Sequence, residues 1–133
     1  MAYSIIFIPE TGYFPAVVSG MNSKETVEKY ITNIRSECTA RNCFKTLIEE
    51  RLEGPRIDIM DVFAITDKGS RETVGFYEAL AYVDVYTTGT LMRFAETVGR
   101  NRGISISVFS SVADAEAWLF NATGGKQAAA IGG

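Results

Sequence analysis

The chain contains no histidine. That absence removes the commonest metal ligand and the side chain best suited to act as a general base near neutral pH. There are only two cysteines, Cys38 and Cys43. Without histidine beside them they cannot complete a usual structural zinc site within one chain, and a nucleophilic serine or cysteine would have no imidazole to activate it. The apolar neighbours of both cysteines favour free thiols. Basic residues show no surplus either. Thirteen Lys and Arg against sixteen Asp and Glu give a net charge of −3, the wrong sign for gripping a phosphate backbone, and no basic run suits an anionic membrane. Long apolar runs are missing as well. The run Ile5-Ile6-Phe7-Ile8 stops at Pro9, too short for a membrane span or a signal-peptide core. These absences predict a cytoplasmic protein with no nucleic-acid or membrane partner. No G-x-G-x-x-G motif is present, and Lys126 is followed by Gln127 rather than by Ser or Thr, so no phosphate-loop cofactor is expected.

What is present is an alternation of apolar stretches. Residues 3–8 and 13–19, joined by the turn Pro9-Glu10-Thr11-Gly12, read as two strands linked too briefly to be anything but antiparallel. Asn22 and Glu25 are spaced as a capping box, and Val27, Tyr30, Ile31, Ile34 and Cys38 recur on one helical face. A third strand is predicted over 43–48, followed by a charged loop, Glu49-Glu50-Arg51-Leu52-Glu53-Gly54-Pro55. Asp58 can cap a short second helix, with Asp61 in its first turn and Ile59, Met60, Phe63 and Ala64 toward the sheet. A fourth strand over 78–85 and a loop, Thr87-Thr88-Gly89, lead to a third helix with a stripe of Leu91, Phe94, Ala95 and Val98. Gly103 closes that helix in a left-handed position before a fifth strand over 104–109. Ser111 caps a last helix that turns Ala115, Trp118 and Leu119 inward. The order β-β-α-β-α-β-α-β-α predicts an α/β fold, a mostly parallel five-stranded sheet with an antiparallel edge strand and helices packed on it. Residues 1–121 form one domain in this reading. Residues 122–133, with Ile131 the only large apolar side chain, form a flexible tail.

Several segments resemble a known family. Phe94-Ala95-Glu96-Thr97-Val98, then Asn101-Arg102-Gly103, an apolar strand, and Ala113-Asp114-Ala115-Glu116-Ala117-Trp118-Leu119 look like the end of SpoIIAA-like, STAS-like bacterial domains. Leu47-Ile48-Glu49-Glu50-Arg51 resembles the family's strand and acidic corner, and Met60-Asp61-Val62-Phe63 its following helix. The likeness covers about residues 3–121. It implies a protein-interaction module, often controlled by a nucleotide or by phosphorylation of a serine at the start of the second helix. The corresponding segment here, Glu53-Gly54-Pro55-Arg56-Ile57-Asp58, has no hydroxyl residue, so the serine switch is not carried over.

Function is expected to reside at the carboxyl ends of the strands, where open α/β sheets bind ligands. The candidates are Glu49, Glu50, Arg51, Asp58 and Asp84, with Thr87, Ser110 and Ser111 as hydroxyls able to receive an anion. Clustered acids could hold a divalent cation or serve as acid and base. Arg51 and Arg56 lie close enough in sequence to neutralise them, so no catalytic residue, metal or cofactor is assigned. The expected function is a non-catalytic regulatory domain with a protein partner, or self-association as a homodimer. The alternative is a small-ligand binding protein, holding an anion or an apolar molecule in the strand-end crevice.

Overall fold

The computed structural model describes residues 3–55, 57–84 and 90–121, with backbone alone at 90–92. The elements are β1 (Tyr3–Phe7), β2 (Phe14–Met21), α1 (Lys24–Arg41), β3 (Lys45–Glu53), α2 (Ile59–Thr73), β4 (Ala79–Asp84), α3 (Thr90–Asn101) and β5 (Ile106–Phe109). A last helix, α4, covers residues 112–121. The five strands lie in sequence order, β1-β2-β3-β4-β5. β1 runs antiparallel to β2 and the other pairs are parallel. This is the expected α/β sheet with its antiparallel edge.

Strands added always on the same side, through crossovers of one hand, put every crossover helix on one face. That face carries the larger core: Phe14, Ala16 and Val18 of β2, Ile48 and Leu52 of β3 and Tyr82 of β4, under Val27, Tyr30, Ile34 and Cys38 of α1 and Ile65 of α2. The opposite face holds a smaller core, Leu47, Ala79, Ala81 and Val83 beneath Ala115 and Leu119 of α4. No helix is long and apolar enough to cross a membrane, among the described residues.

Local signals fixed most helix ends. Asp58 accepts the Asp61 N–H at 2.9 Å and caps α2. Ser111 accepts the Asp114 N–H at 3.2 Å and caps α4. Gly103 takes φ +87°, where a side chain would be strained. The cap of α1 is Ser23 rather than Asn22. Asn22 instead donates to the Pro55 carbonyl at 3.0 Å, tying two strand-end loops together.

Two expectations are corrected, and the inward placement of Trp118 holds at the rim of the smaller core. β3 runs five residues past Ile48, so Glu49–Glu53 is strand and not loop. β2 pairs with β3 as far as Glu53 and β4 pairs with it as far as Glu50, and these backbone hydrogen bonds outweigh the low strand propensity of glutamate. α2 is long, reaching Thr73, and its buried positions are Val62, Ile65, Ser70 and Thr73. Ile59, Met60 and Phe63 are exposed, Met60 at 69%, because the 3.6-residue period set by Val62 and Ile65 turns them outward. Trp118 is only partly buried, leaning on Phe109 with ring centroids 5.7 Å apart. The Leu91 stripe position, the loop at 87–89 and the tail at 122–133 lie outside the described side chains or residues.

The difference between Trp118 and Leu119 is measurable. Leu119, 2% exposed, should cost about 3–5 kcal/mol as alanine, since it leaves a cavity. Trp118→Ala should cost about 2 kcal/mol, the share of a half-covered ring. Urea denaturation of both variants checks the order; a larger loss at Trp118 would refute the packing described here.

Candidate functional site

Pleating decides which acids can meet. Successive side chains of a strand point to opposite faces, so Ile48, Glu50 and Leu52 of β3 face the larger core while Glu49 and Arg51 face away. In the parallel register Ile48 lies beside Tyr82 and Glu50 beside Asp84. Those four side chains form a square on the helix-covered face at the carboxyl end of the sheet. Glu50 is 5% exposed and Asp84 7%.

A buried carboxylate needs hydrogen-bond donors, and α1 and β4 each supply one to Glu50. α1 brings Tyr30 over the sheet, and its hydroxyl donates to Glu50 Oε2 in a very short contact. Tyr82 donates to the same oxygen at 2.9 Å. Both carboxylates make further interactions. Burial, and then the Asp84 charge, push the Tyr82 phenol well above its usual ionisation range. Burial likewise raises the Tyr77 phenol and the Cys38 thiol, with Cys38 Sγ 3.3 Å from Thr46 Oγ1. These groups therefore stay protonated and non-nucleophilic at neutral pH.

The square forms one wall of a cavity of about 130 Å³ between the sheet and α2. Val27 and Ile31 of α1, Ile57, Val62 and Ile65, and Ile104 and Ile106 make most of its surface apolar. The side toward α2 carries Thr66, Ser70 and Thr73. Two of these hydroxyls bond their own helix, Thr66 to the Val62 carbonyl at 2.8 Å and Thr73 to the Gly69 carbonyl at 2.6 Å. Gly69 lines the same cavity, and a Cβ added there would meet no atom within 4 Å.

The expected site residues thus separate. Glu50 and Asp84 come together in the cavity wall. Glu49 and Arg51 pair with each other on the opposite face at 2.5 Å, so the expected acidic cluster is split by the pleat. Asp58 is engaged as a cap, and Ser111 likewise. Ser110 is exposed in a bend before α4. Neither serine lines the cavity. Thr87 and Arg56 lie outside the described residues. Among the described residues no group of three or more metal-ligating side chains could hold an ion. Tyr30, Tyr82, Tyr77, Ser70 and Gly69 were missed as site residues. The alternation Thr46-Ile48-Glu50 against Leu80-Tyr82-Asp84 would have found Tyr82 once β3 was extended.

No protein-family model matches the chain, and no curated protein is similar to it.

Proposed function

We propose that the chain is a cytoplasmic, non-catalytic regulatory domain of STAS-like type that responds to a small, mainly apolar molecule held in the strand-end cavity. The observation that carries the reading is the cavity itself: apolar on most sides, polar at the Glu50–Tyr82–Asp84 wall. Well-formed apolar pockets with a few convergent polar groups are where small ligands bind. Its size suits a single ring of about six to eight non-hydrogen atoms, by comparison with apolar cavities of similar volume that take up benzene.

A regulatory rather than transforming role is supported by the chemistry of the wall. The phenols and the Cys38 thiol are held protonated by burial, and the acids serve as acceptors. Output to a protein partner is supported by α2. Its inner face, with Val62, Ile65 and Gly69, lines the cavity, while its outer face exposes Ile59, Met60 and Phe63. A ligand that shifts or stiffens α2 alters the apolar surface a partner would read.

Gly69 provides the test. Gly69→Ala should stabilise the protein by about 0.5–1 kcal/mol, because alanine replaces glycine inside a helix with room for its methyl group. Gly69→Leu should fill the cavity. Benzene and phenol, titrated against the purified protein by calorimetry, should bind the wild type and the Ala variant. Both should bind Gly69→Leu at least tenfold more weakly. Equal binding to all three proteins, or none to the wild type, defeats the proposal.

A further inference from the structure

The two edges of the sheet are treated differently. At the β5 edge, α3 covers the outward backbone. Arg100 donates through Nε to the Ile106 carbonyl at 2.8 Å and through a terminal nitrogen to Ser107 Oγ at 2.9 Å. Glu96 accepts the Val108 N–H at 2.8 Å. Side chains thus occupy the groups that an incoming strand would need, a recognised way of blunting an edge.

Among the described residues, nothing covers β1 in this way. The Ile8 N–H donates to the Pro15 carbonyl at 3.0 Å, which puts Ile8 at an inward-bonding position of the ladder, although Pro15 has no N–H to return. By the alternation of an antiparallel ladder, Ser4 and Ile6 also bond inward, opposite Ser19 and Val17. Tyr3, Ile5 and Phe7 therefore direct their N–H and C=O groups outward. Among the described residues, no side chain bonds these groups. Residues 3–9 contain no charge, no bulge and no proline before Pro9, and Ile6 is 61% exposed. Such an edge is a template for another strand.

We infer that β1 pairs antiparallel with β1 of a second copy, about a two-fold axis at Ile5. The sequence is self-complementary in that register. Tyr3 meets the second copy's Phe7 and Ile5 meets its mate, with about six backbone hydrogen bonds exchanged. Ser4 meets Ile6, and no like charges are brought together. The strand pair alone falls short of the roughly 1,600 Å² of a standard interface. The remainder comes from the exposed Ile6 and Ile8 on the open face, and from α1 on the covered face. α1 packs over β1, where Asn33 donates to the Tyr3 hydroxyl at 2.5 Å, so pairing sets the two α1 helices side by side. Because side chains guard the β5 edge, the assembly stops at two copies, joined in one continuous ten-stranded sheet.

Sedimentation velocity over a concentration series tests this on the full chain. The wild type should sediment at twice the chain mass. Ile5→Pro removes an N–H that the β1–β2 ladder does not use. Ile6→Lys places a cation on an exposed position, diagonal to its symmetry mate. Each should weaken association at least tenfold and leave a folded monomer, judged by circular dichroism; if Ile5→Pro fails to fold, Ile6→Lys decides alone. A wild type that is monomeric at high concentration, growth beyond the dimer, or a folded variant that stays dimeric overturns the inference. The cavity reading survives any of these results, since none of the substituted residues lines it.

Discussion

Raising the pH from about 10 to about 12 should cost the protein about 5 kcal/mol of stability. Tyr77 and Tyr82 are buried, and burial is the first cause of their raised ionisation, reinforced at Tyr82 by Asp84 and at Tyr77 by Cys38. In the unfolded chain both phenols titrate near 10.0. The unfolded state therefore releases protons that the folded state keeps. Their contribution is complete below pH 10 and is lost as the pH climbs toward the raised folded values. Each withheld proton contributes about 1.36 kcal/mol per pH unit, so the pair gives a slope of about 2.7 kcal/mol per unit. Against a stability of about 5–15 kcal/mol for an ordinary domain, that slope is decisive. The Cys38 thiol, raised from 9.0, begins the decline earlier. Tyr13, moved up to about 12 by burial and by its bond to Glu116, lies nearer the surface and adds less. Urea denaturation at stepped pH measures the slope, and Tyr77→Phe should lower it by about 1.4 kcal/mol per unit. A flat profile, or phenolate absorbance from all six tyrosines before the far-ultraviolet dichroism changes, would show that these rings are not sequestered.

The same residues show what the sequence disclosed and what it concealed. Val27, Tyr30, Ile34 and Cys38 were legible as a buried face because a helix repeats every 3.6 residues and all four are buried. Asp58, Ser111 and Gly103 were legible because caps are local chemistry. Strand β3 was not, since Glu49-Glu50-Arg51-Leu52-Glu53 reads as a solvated loop until flanking strands supply its hydrogen bonds. That misjudged end concealed the site. While Glu49 and Glu50 shared a loop they formed one acidic cluster; on a strand, pleating sends one to the surface to meet Arg51 and the other inward to Tyr30 and Tyr82. Tyr30 was correctly placed on the core face, yet its role as a donor depends on a residue twenty positions away and could not be read locally. The cavity had no sequence signal at all, because it arises from Gly69 and the spacing of three helices over the sheet.

Glu50 should prove the most sensitive polar position in the chain. Truncating it to alanine leaves the buried hydroxyls of Tyr30 and Tyr82 without their acceptor, at about 1–3 kcal/mol for each unsatisfied group. Its remaining interactions are lost too. A total of about 3–5 kcal/mol is expected, in the range for breaking a buried polar network. Glu50→Gln retains a carbonyl oxygen for both phenols and gives up only the charge, so about 1–2 kcal/mol is expected. The comparison separates the acceptor from the charge. If glutamine is as damaging as alanine, the charge and not the shared oxygen holds the wall together. A double-mutant cycle localises the effect. Tyr82→Phe should cost about 1 kcal/mol in the wild type and recover about 1 kcal/mol once Glu50 is alanine, because it then removes a buried hydroxyl left without its acceptor. Equal costs in the two backgrounds would mean that Tyr82 and Glu50 act independently, and the polar wall of the cavity would cease to be one unit.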